Sequence, residues 1–247
     1  MISIGDASEL NSAAYIGTGA DLPENWQEVA FIEDRKTGVS MGHYVKGQVN
    51  YLAVRGTWGT SDILPALRVF LGSDPVERID FVQKYIENNF GSCPDGKKLA
   101  VGGHSLGGLV AAAAAEKYNL PGLAQNSPGW MTRVPKAEKL KQFLQVRTAR
   151  DVVADWGSNY PRNLMLPDPS LPAWNITSLH NLERQNMLIR QHGLNWFDVD
   201  DLSLVPFSEK VKQSPQGQWA RLGRAAGLWR EAHDYTYVQA SKKGYGP

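Results

Sequence analysis

The stretch Leu99-Ala-Val-Gly-Gly-His-Ser-Leu-Gly-Gly108 decides how this sequence folds. Its opening residues predict a short buried strand, and the alanine-rich run 109–115 that follows has strong helix propensity. Between them, Gly103, Ser105 and Gly107 form the pattern Gly-x-Ser-x-Gly, in which a serine occupies a sharp turn from strand to helix and small residues let neighbouring backbones pass. The stretch therefore predicts a nucleophile elbow at Ser105. A glycine-rich turn that only packs a helix against a strand is the alternative.

The segments around the elbow alternate between strand and helix patterns. Apolar residues recur at helical spacing before the elbow, and short apolar runs bounded by turn residues lie on both sides of it. The expected elements are a helix at 8–16, a strand hairpin at 38–45 and 49–54, a helix at 75–90, a strand at 123–127, a helix at 134–140 and a strand at 143–148. This alternation predicts an α/β fold with a mostly parallel central sheet and helices on both faces.

The composition limits the classes of function. The 247 residues are 42% hydrophobic, which is enough for one sizeable core, so residues 1–247 are predicted to form a single domain. The net charge is +1 with basic residues spread along the chain, so no nucleic-acid partner is expected. Neither a signal peptide nor a transmembrane segment is recognisable. We expect a soluble protein, cytoplasmic by default, with export by a signal-independent route left open.

A serine nucleophile needs a base to take its proton, usually a histidine oriented by a carboxylate. In folds with this elbow the three residues follow in the order Ser, Asp, His, which excludes His43 and His104. Asp151 stands just past the end of a predicted strand, where parallel sheets collect their functional loops, whereas Asp155 and Asp168 lie further into irregular chain. Asp151 is therefore the predicted carboxylate. The downstream histidines cannot be ranked by spacing alone; they are His180, His192 and His233.

Four segments together resemble the fungal-type, or class three, lipases. They are, in chain order, Val54-Arg-Gly-Thr57, the elbow, Asn126-Ser-Pro-Gly129 and Arg147-Thr-Ala-Arg-Asp151. The early segment Leu10-Asn-Ser-Ala-Ala-Tyr15 is also similar to the opening of bacterial members. The resemblance spans about residues 8–195 and implies an α/β-hydrolase-type fold that hydrolyses esters without a cofactor. The chain departs from the family pattern after Thr57 and at Ala154, where the family commonly has proline.

The same resemblance ranks the histidines and implies an oxyanion hole. His180-Asn-Leu-Glu is similar to the segment that carries the catalytic histidine in plant acyl hydrolases of this family, so His180 is the expected base. His233 competes with it, because its aromatic surroundings are similar to the ending of secreted fungal members. The residues after the Arg-Gly pair and after the serine, Thr57 and Leu106, are implied to supply backbone N–H groups to the oxyanion.

Two segments suggest contact with lipid. Residues 60–72 are rich in aliphatic side chains where the family keeps a lid over an apolar acyl site, although such a segment also suits core packing. Residues 208–247 carry seven Lys or Arg against three Asp or Glu and are interpreted as a basic amphipathic extension, which either contacts a lipid surface or packs onto the domain. No metal site is predicted, since Asp198-Val-Asp-Asp201 lacks the glycine and distal glutamate of a calcium loop.

These observations predict a serine carboxylic-ester hydrolase, lipase- or phospholipase-like, that acts on an ester or lipid substrate through an acyl-enzyme on Ser105. The alternatives on the same fold are an acyltransferase, a thioesterase or a peptidase. A noncatalytic binding module with a relic elbow is a further alternative, against which the complete set of serine, aspartate and histidine argues.

Overall fold

The computed structural model describes residues 2–56, 75–92, 94–95, 98–130, 136–149, 151, 153–154, 160–166, 181–191, 204–206 and 236–238. These residues form helices, strands and one 3-10 turn at Ala137–Lys139. The helices are α1 Ile4–Ile16, α2 Val76–Phe90, α3 Leu106–Tyr118 and α4 Leu182–Gln191. The strands are β1 Gln27–Asp34, β2 Val39–Lys46, β3 Val49–Val54, β4 Leu99–His104, β5 Gly122–Gln125, β6 Phe143–Thr148, β7 Asn163–Leu166, β8 Leu204–Pro206 and β9 Thr236–Val238.

Seven of the strands form one sheet in chain order from β1 to β7. β1, β2 and β3 pair antiparallel, and every pair from β3 to β7 is parallel. β8 and β9 form a separate antiparallel pair. The predicted fold class is confirmed: the protein has an α/β-hydrolase-type fold with a mostly parallel central sheet. Because parallel strands run the same way, the carboxyl ends of β3 to β6 meet at one edge of the sheet.

Helices cover both faces of this sheet. Side chains of a strand alternate between the faces, and the core accordingly divides into two clusters. On one face Leu52 and Val101 pack with residues of α2 and α3. On the other face Tyr51 and Ala100 pack with residues of α1 and α4. The parallel strands are therefore buried on both sides, which explains their nearly continuous apolar sequences.

Two expectations about elements after the elbow are corrected. The helix predicted at 134–140 is wrong, because residues 136–140 form only the 3-10 turn. In this segment Leu140 is buried whereas Lys136, Glu138 and Lys139 are exposed, so a longer helix would bury little apolar surface. The strand predicted at 123–127 ends earlier, since Asn126 adopts a left-handed φ of 44° directly after β5.

The described helices have no membrane-spanning character, because none combines the length and the apolar composition that a crossing requires. The proposed apolar segment 60–72 lies outside the described residues. So does the basic extension 208–247, apart from residues 236–238 of β9.

Candidate active site

Ser105 lies between the last residue of β4 and the first residue of α3. Its φ of 54° and ψ of −131° fall where side chains other than glycine are rare, at a cost on the order of 1–3 kcal/mol. The Ser105 N–H donates to Gln125 O at 2.9 Å, and the Ser105 carbonyl accepts from Gly108 N–H at 3.0 Å. Neighbouring backbone thus holds the serine in a strained conformation, an arrangement that is typical of a nucleophile elbow.

The glycines on either side of Ser105 are required by the close approach of β3. A Cβ on Gly107 would lie 2.1 Å from the carbonyl oxygen of Val54, and one on Gly103 would lie 2.5 Å from the same oxygen. Both distances are far below any normal contact, and the obstacle is backbone rather than a movable side chain. A Cβ on Gly108 would likewise lie 2.7 Å from Ser127 Cβ. The Gly-x-Ser-x-Gly pattern therefore reflects backbone packing at this turn.

The Ser105 hydroxyl is buried, with 2% of the residue exposed, and Oγ has no hydrogen-bond partner among the described residues. Buried hydroxyls usually have a partner, and one without a partner requires an explanation, of which a catalytic role is one. The two described histidines have other partners: His43 contacts Tyr85 and Asn50, and His104 Nδ1 lies 2.8 Å from the Tyr15 hydroxyl. The candidate bases His180, His192 and His233 lie outside the described residues.

The turn formed by Arg55 and Gly56 lies directly against the elbow. A Cβ on Gly56 would come within 2.6 Å of His104 O and 3.0 Å of Ser105 Cβ. The Arg55 N–H donates to the carbonyl of Ser40 at 2.8 Å, and Arg55 Nη2 donates to its hydroxyl at 2.7 Å. Thr57, predicted to supply an oxyanion N–H, lies outside the described residues, and its role stays a prediction. A side chain on the residue before it, Gly56, would reach Ser105.

Leu106 is the first residue of α3 and is 2% exposed. A residue at this position has no carbonyl of its own helix four residues earlier to accept its N–H. The aligned peptide dipoles also place partial positive charge at this end of the helix. The Leu106 N–H is thus a donor that directly follows Ser105 at an end of α3 that favours negative charge.

Asp151 follows β6 and is fully buried, with 0% exposed. Its N–H donates to Thr148 O at 3.2 Å, and its Oδ1 accepts the Val153 N–H at 2.9 Å. The buried Arg147 donates from Nη1 to Ala154 O at 2.8 Å, which fastens the loop beyond the aspartate. β6 is separated from β4 by β5 alone. Asp151 and Ser105 therefore lie at the same edge of the sheet, on loops that are two strands apart.

Polar side chains of α4 attach this helix to the same edge. Gln185 Nε2 donates to Asn126 Oδ1 at 2.7 Å and to Val146 O at 3.0 Å. Gln125 Nε2 donates to Asn186 Oδ1 at 2.8 Å. Asn181 caps the N-terminus of the helix, since its Oδ1 accepts the N–H of residue 184 at 2.9 Å. The sequence did not single out these residues, because polar side chains inside a helix usually face water.

Burial shifts the pKa of the ionisable side chains of Tyr15 and His43. Burial raises the pKa of Tyr15 well above its usual range, against an opposing hydrogen bond from Gly56 N–H, so the phenol stays protonated. Burial lowers the pKa of His43, against an opposing hydrogen bond with Asn50. Among the described ranges, no group of three or more His, Cys, Asp or Glu could hold a metal ion.

No protein-family model matches the chain, and no curated protein matches it. The structure is similar to solved fungal lipases. Lip2 lipase from Yarrowia lipolytica is 16% identical over 69% of this chain and 80% of that chain, with a TM-score of 0.46. A triacylglycerol lipase from Penicillium expansum is 14% identical over 68% and 82%, with a TM-score of 0.42. The lipase–propeptide complex of Rhizomucor miehei is 12% identical over 73% and 76%, with a TM-score of 0.43. The likeness is one of fold.

Proposed function

We propose that this protein is a serine carboxylic-ester hydrolase, lipase- or phospholipase-like, that acts through an acyl-enzyme on Ser105. The observation that supports the proposal most strongly is the backbone conformation of Ser105 together with the burial of its hydroxyl. Its backbone is strained at φ 54°, and its hydroxyl is buried without a partner among the described residues. A serine that only packs a helix on a strand has no need of this conformation. A nucleophile does, because the turn presents Oγ beside the helix N-terminus.

The carboxylate and the base of the proposed triad are Asp151 and His180. Asp151 is supported by its burial and by its place at the carboxyl end of β6. His180 immediately precedes Asn181, the residue that caps the N-terminus of α4, and Gln185 one turn later is bonded to Asn126 beyond the end of β5. The start of α4 is thereby held near the edge that carries Ser105. His180 comes directly before this anchored helix in the chain, which supports it over a histidine in the C-terminal region.

In the proposed reaction, Ser105 Oγ attacks the ester carbonyl carbon while His180 takes the hydroxyl proton. The carbonyl oxygen becomes negative in the tetrahedral intermediate and accepts hydrogen bonds from the N–H groups of Thr57 and Leu106. The intermediate collapses as His180 gives its proton to the leaving alcohol, which leaves an acyl ester on the serine. Water activated by His180 then hydrolyses that ester, and Asp151 keeps the imidazole in the required tautomer throughout.

Labelling by a fluorophosphonate probe tests the nucleophile. The wild-type protein is expected to be labelled once, and Ser105→Ala is expected to abolish both the labelling and the turnover of a nitrophenyl ester. Ser127→Ala is the matched control, since this serine is also buried at the same edge but its hydroxyl is bonded to Tyr160 at 2.9 Å. The control should remain fully labelled. Labelling that persists in Ser105→Ala would contradict the proposal.

A further inference from the structure

Tyr15 joins the two turns that face each other at the elbow. Its hydroxyl accepts the Gly56 N–H at 3.0 Å and lies 2.8 Å from His104 Nδ1. The rings of Tyr15 and His104 meet edge to face, with centroids 5.6 Å apart. A phenol that accepts from the backbone can donate its own proton to an unprotonated ring nitrogen. One hydroxyl thus spans from the turn after β3 to the last residue of β4.

We propose that Tyr15 is a positioning residue for the ester hydrolysis proposed above: it fixes Gly56, the residue that leads into the predicted oxyanion donor Thr57. The inference rests on that proposed function and adds Tyr15 of the N-terminal helix α1 to the residues that support the site. The Ser105 hydroxyl has no hydrogen-bond partner among the described residues, so Tyr15 is not bonded to it. Tyr15 acts on the predicted site through Gly56.

The hydrogen bond from the Gly56 N–H to the Tyr15 hydroxyl, here called the tether, is needed because its donor is a glycine. Glycine has more backbone freedom than any other residue, so the peptide between Gly56 and Thr57 is not oriented by local preference. The available space is nonetheless narrow, since a Cβ on Gly56 would lie 2.7 Å from the Tyr15 oxygen and 2.6 Å from His104 O. Packing limits where Gly56 lies, and the hydrogen bond from its N–H fixes the peptide plane that joins Arg55 and Gly56. Loss of this bond would free the start of the segment that leads to the predicted N–H donor at residue 57.

The tether is itself well anchored. Tyr15 lies in the last turn of α1, whose buried residues Ala13 and Ala14 pack against the sheet. α1 is bonded to α4 through Asn186 Nδ2, which donates to Ser12 Oγ at 2.7 Å. Burial keeps the phenol protonated, so the contact with Gly56 persists over the pH range in which esters are assayed. These contacts let α1 act as a rigid support for the turn.

Tyr15→Phe tests the proposal, with Tyr51→Phe as the matched control. Tyr51 is fully buried, and its hydroxyl donates to Asn11 Oδ1 of the same helix at 3.0 Å, while no described hydrogen bond joins it to either turn. Tyr15→Phe removes the contacts of the hydroxyl with Gly56 and His104, and Tyr51→Phe removes one phenol hydrogen bond. Tyr15→Phe is expected to lower kcat by about 10- to 100-fold with KM nearly unchanged, because a misplaced oxyanion donor costs part of its full contribution. Tyr51→Phe should retain the wild-type kcat.

Two further measurements separate this inference from the proposed function. Affinity for an alkyl trifluoromethyl ketone, whose serine adduct carries an oxyanion, should fall with kcat in Tyr15→Phe alone. Hydrogen exchange of the Gly56 amide should become at least about tenfold faster in Tyr15→Phe, whether or not the protein hydrolyses esters. If the wild type hydrolyses no ester and Gly56 exchange is still faster in Tyr15→Phe, the proposed function is overturned while the hydrogen bond from Tyr15 to Gly56 is supported. Equal kcat in the two variants, or unchanged Gly56 exchange, would overturn the positioning role.

Discussion

Gly107 and Gly5 occupy equivalent positions, because each is the second residue of its helix. Their surroundings differ. A Cβ on Gly107 would lie 2.1 Å from Val54 O, whereas the nearest atom to a Cβ on Gly5 is Ser3 Oγ at an ordinary 3.7 Å. Substituting each of the two glycines by alanine therefore separates the intrinsic preference of a helix for alanine from the cost of crowding at the elbow.

We expect Gly107→Ala to lower the free energy of unfolding by about 2–4 kcal/mol, because the backbone of β3 or α3 must shift to admit the methyl group. Gly5→Ala should change it by no more than about 1 kcal/mol, in the stabilising direction. Urea unfolding of both variants measures the difference. Equal stabilities of the two would show that β3 does not constrain the elbow.

At the scale of the elements, α4 shows how a buried face can be polar. Gln185 is 0% exposed and Asn186 2% exposed, and their amides bond to the sheet edge and to α1. Asn186 accepts from the fully buried Gln125 amide and donates to Ser8 O and to Ser12 Oγ. These hydrogen bonds join groups inside the protein, so the cost of removing one partner includes the desolvation of the groups left behind.

Asn186→Ala is accordingly expected to lower the free energy of unfolding by about 2–3 kcal/mol, since it leaves the Gln125 amide without an acceptor. Arg190→Ala is the control on the same helix. Its guanidinium lies 3.7 Å from Glu9 with 64% of the side chain exposed, and such surface ion pairs contribute at most about 1 kcal/mol. Thermal or urea denaturation measures both variants. A larger loss in Arg190→Ala than in Asn186→Ala would contradict the anchoring role of the amide.

These elements also show what the sequence could and could not predict. α2, α3, β2, β3, β4 and β6 were predicted, since each buries apolar side chains at the spacing of a helix or a strand. α4 was not predicted, because its buried amides break the apolar period. β1 was not predicted either: as the edge strand its residues are mostly exposed or half-buried, and a bulge between Glu28 and Ala30 interrupts its alternation. Partners distant in sequence, which no local pattern encodes, explain the failure at α4, whereas exposure and the bulge explain the failure at β1.

At the scale of the whole molecule, the sheet brings segments that are distant in sequence to one edge. The ends of β3, β4, β5 and β6 lead to Gly56, Ser105, Asn126 and Asp151, respectively. The position of Asp151 could be predicted because it depends only on strand order and direction. Tyr15 could not, because its contact with Gly56 depends on how α1 packs across the sheet.

The choice of the base in the proposed site depends on how α4 is attached to the rest of the molecule. α4 is attached to the sheet edge through Gln185, and its first turn is capped by Asn181, so the start of this helix lies near the ends of β5 and β6, directly after His180 in the chain. We therefore expect His180→Ala to lower kcat roughly 10⁴-fold or more, as loss of a triad base does elsewhere, while His233→Ala stays close to wild type.

Nitrophenyl ester turnover measures both histidine variants, and added imidazole distinguishes a missing base from a disturbed fold. Imidazole should restore part of the activity of His180→Ala, because a small base can enter the space left by the side chain and take the Ser105 proton. A protein that had lost its packing would gain nothing from it. The opposite ranking, with His233→Ala inactive and His180→Ala active, would move the base to the C-terminal region and show that the anchoring of α4 serves the fold alone.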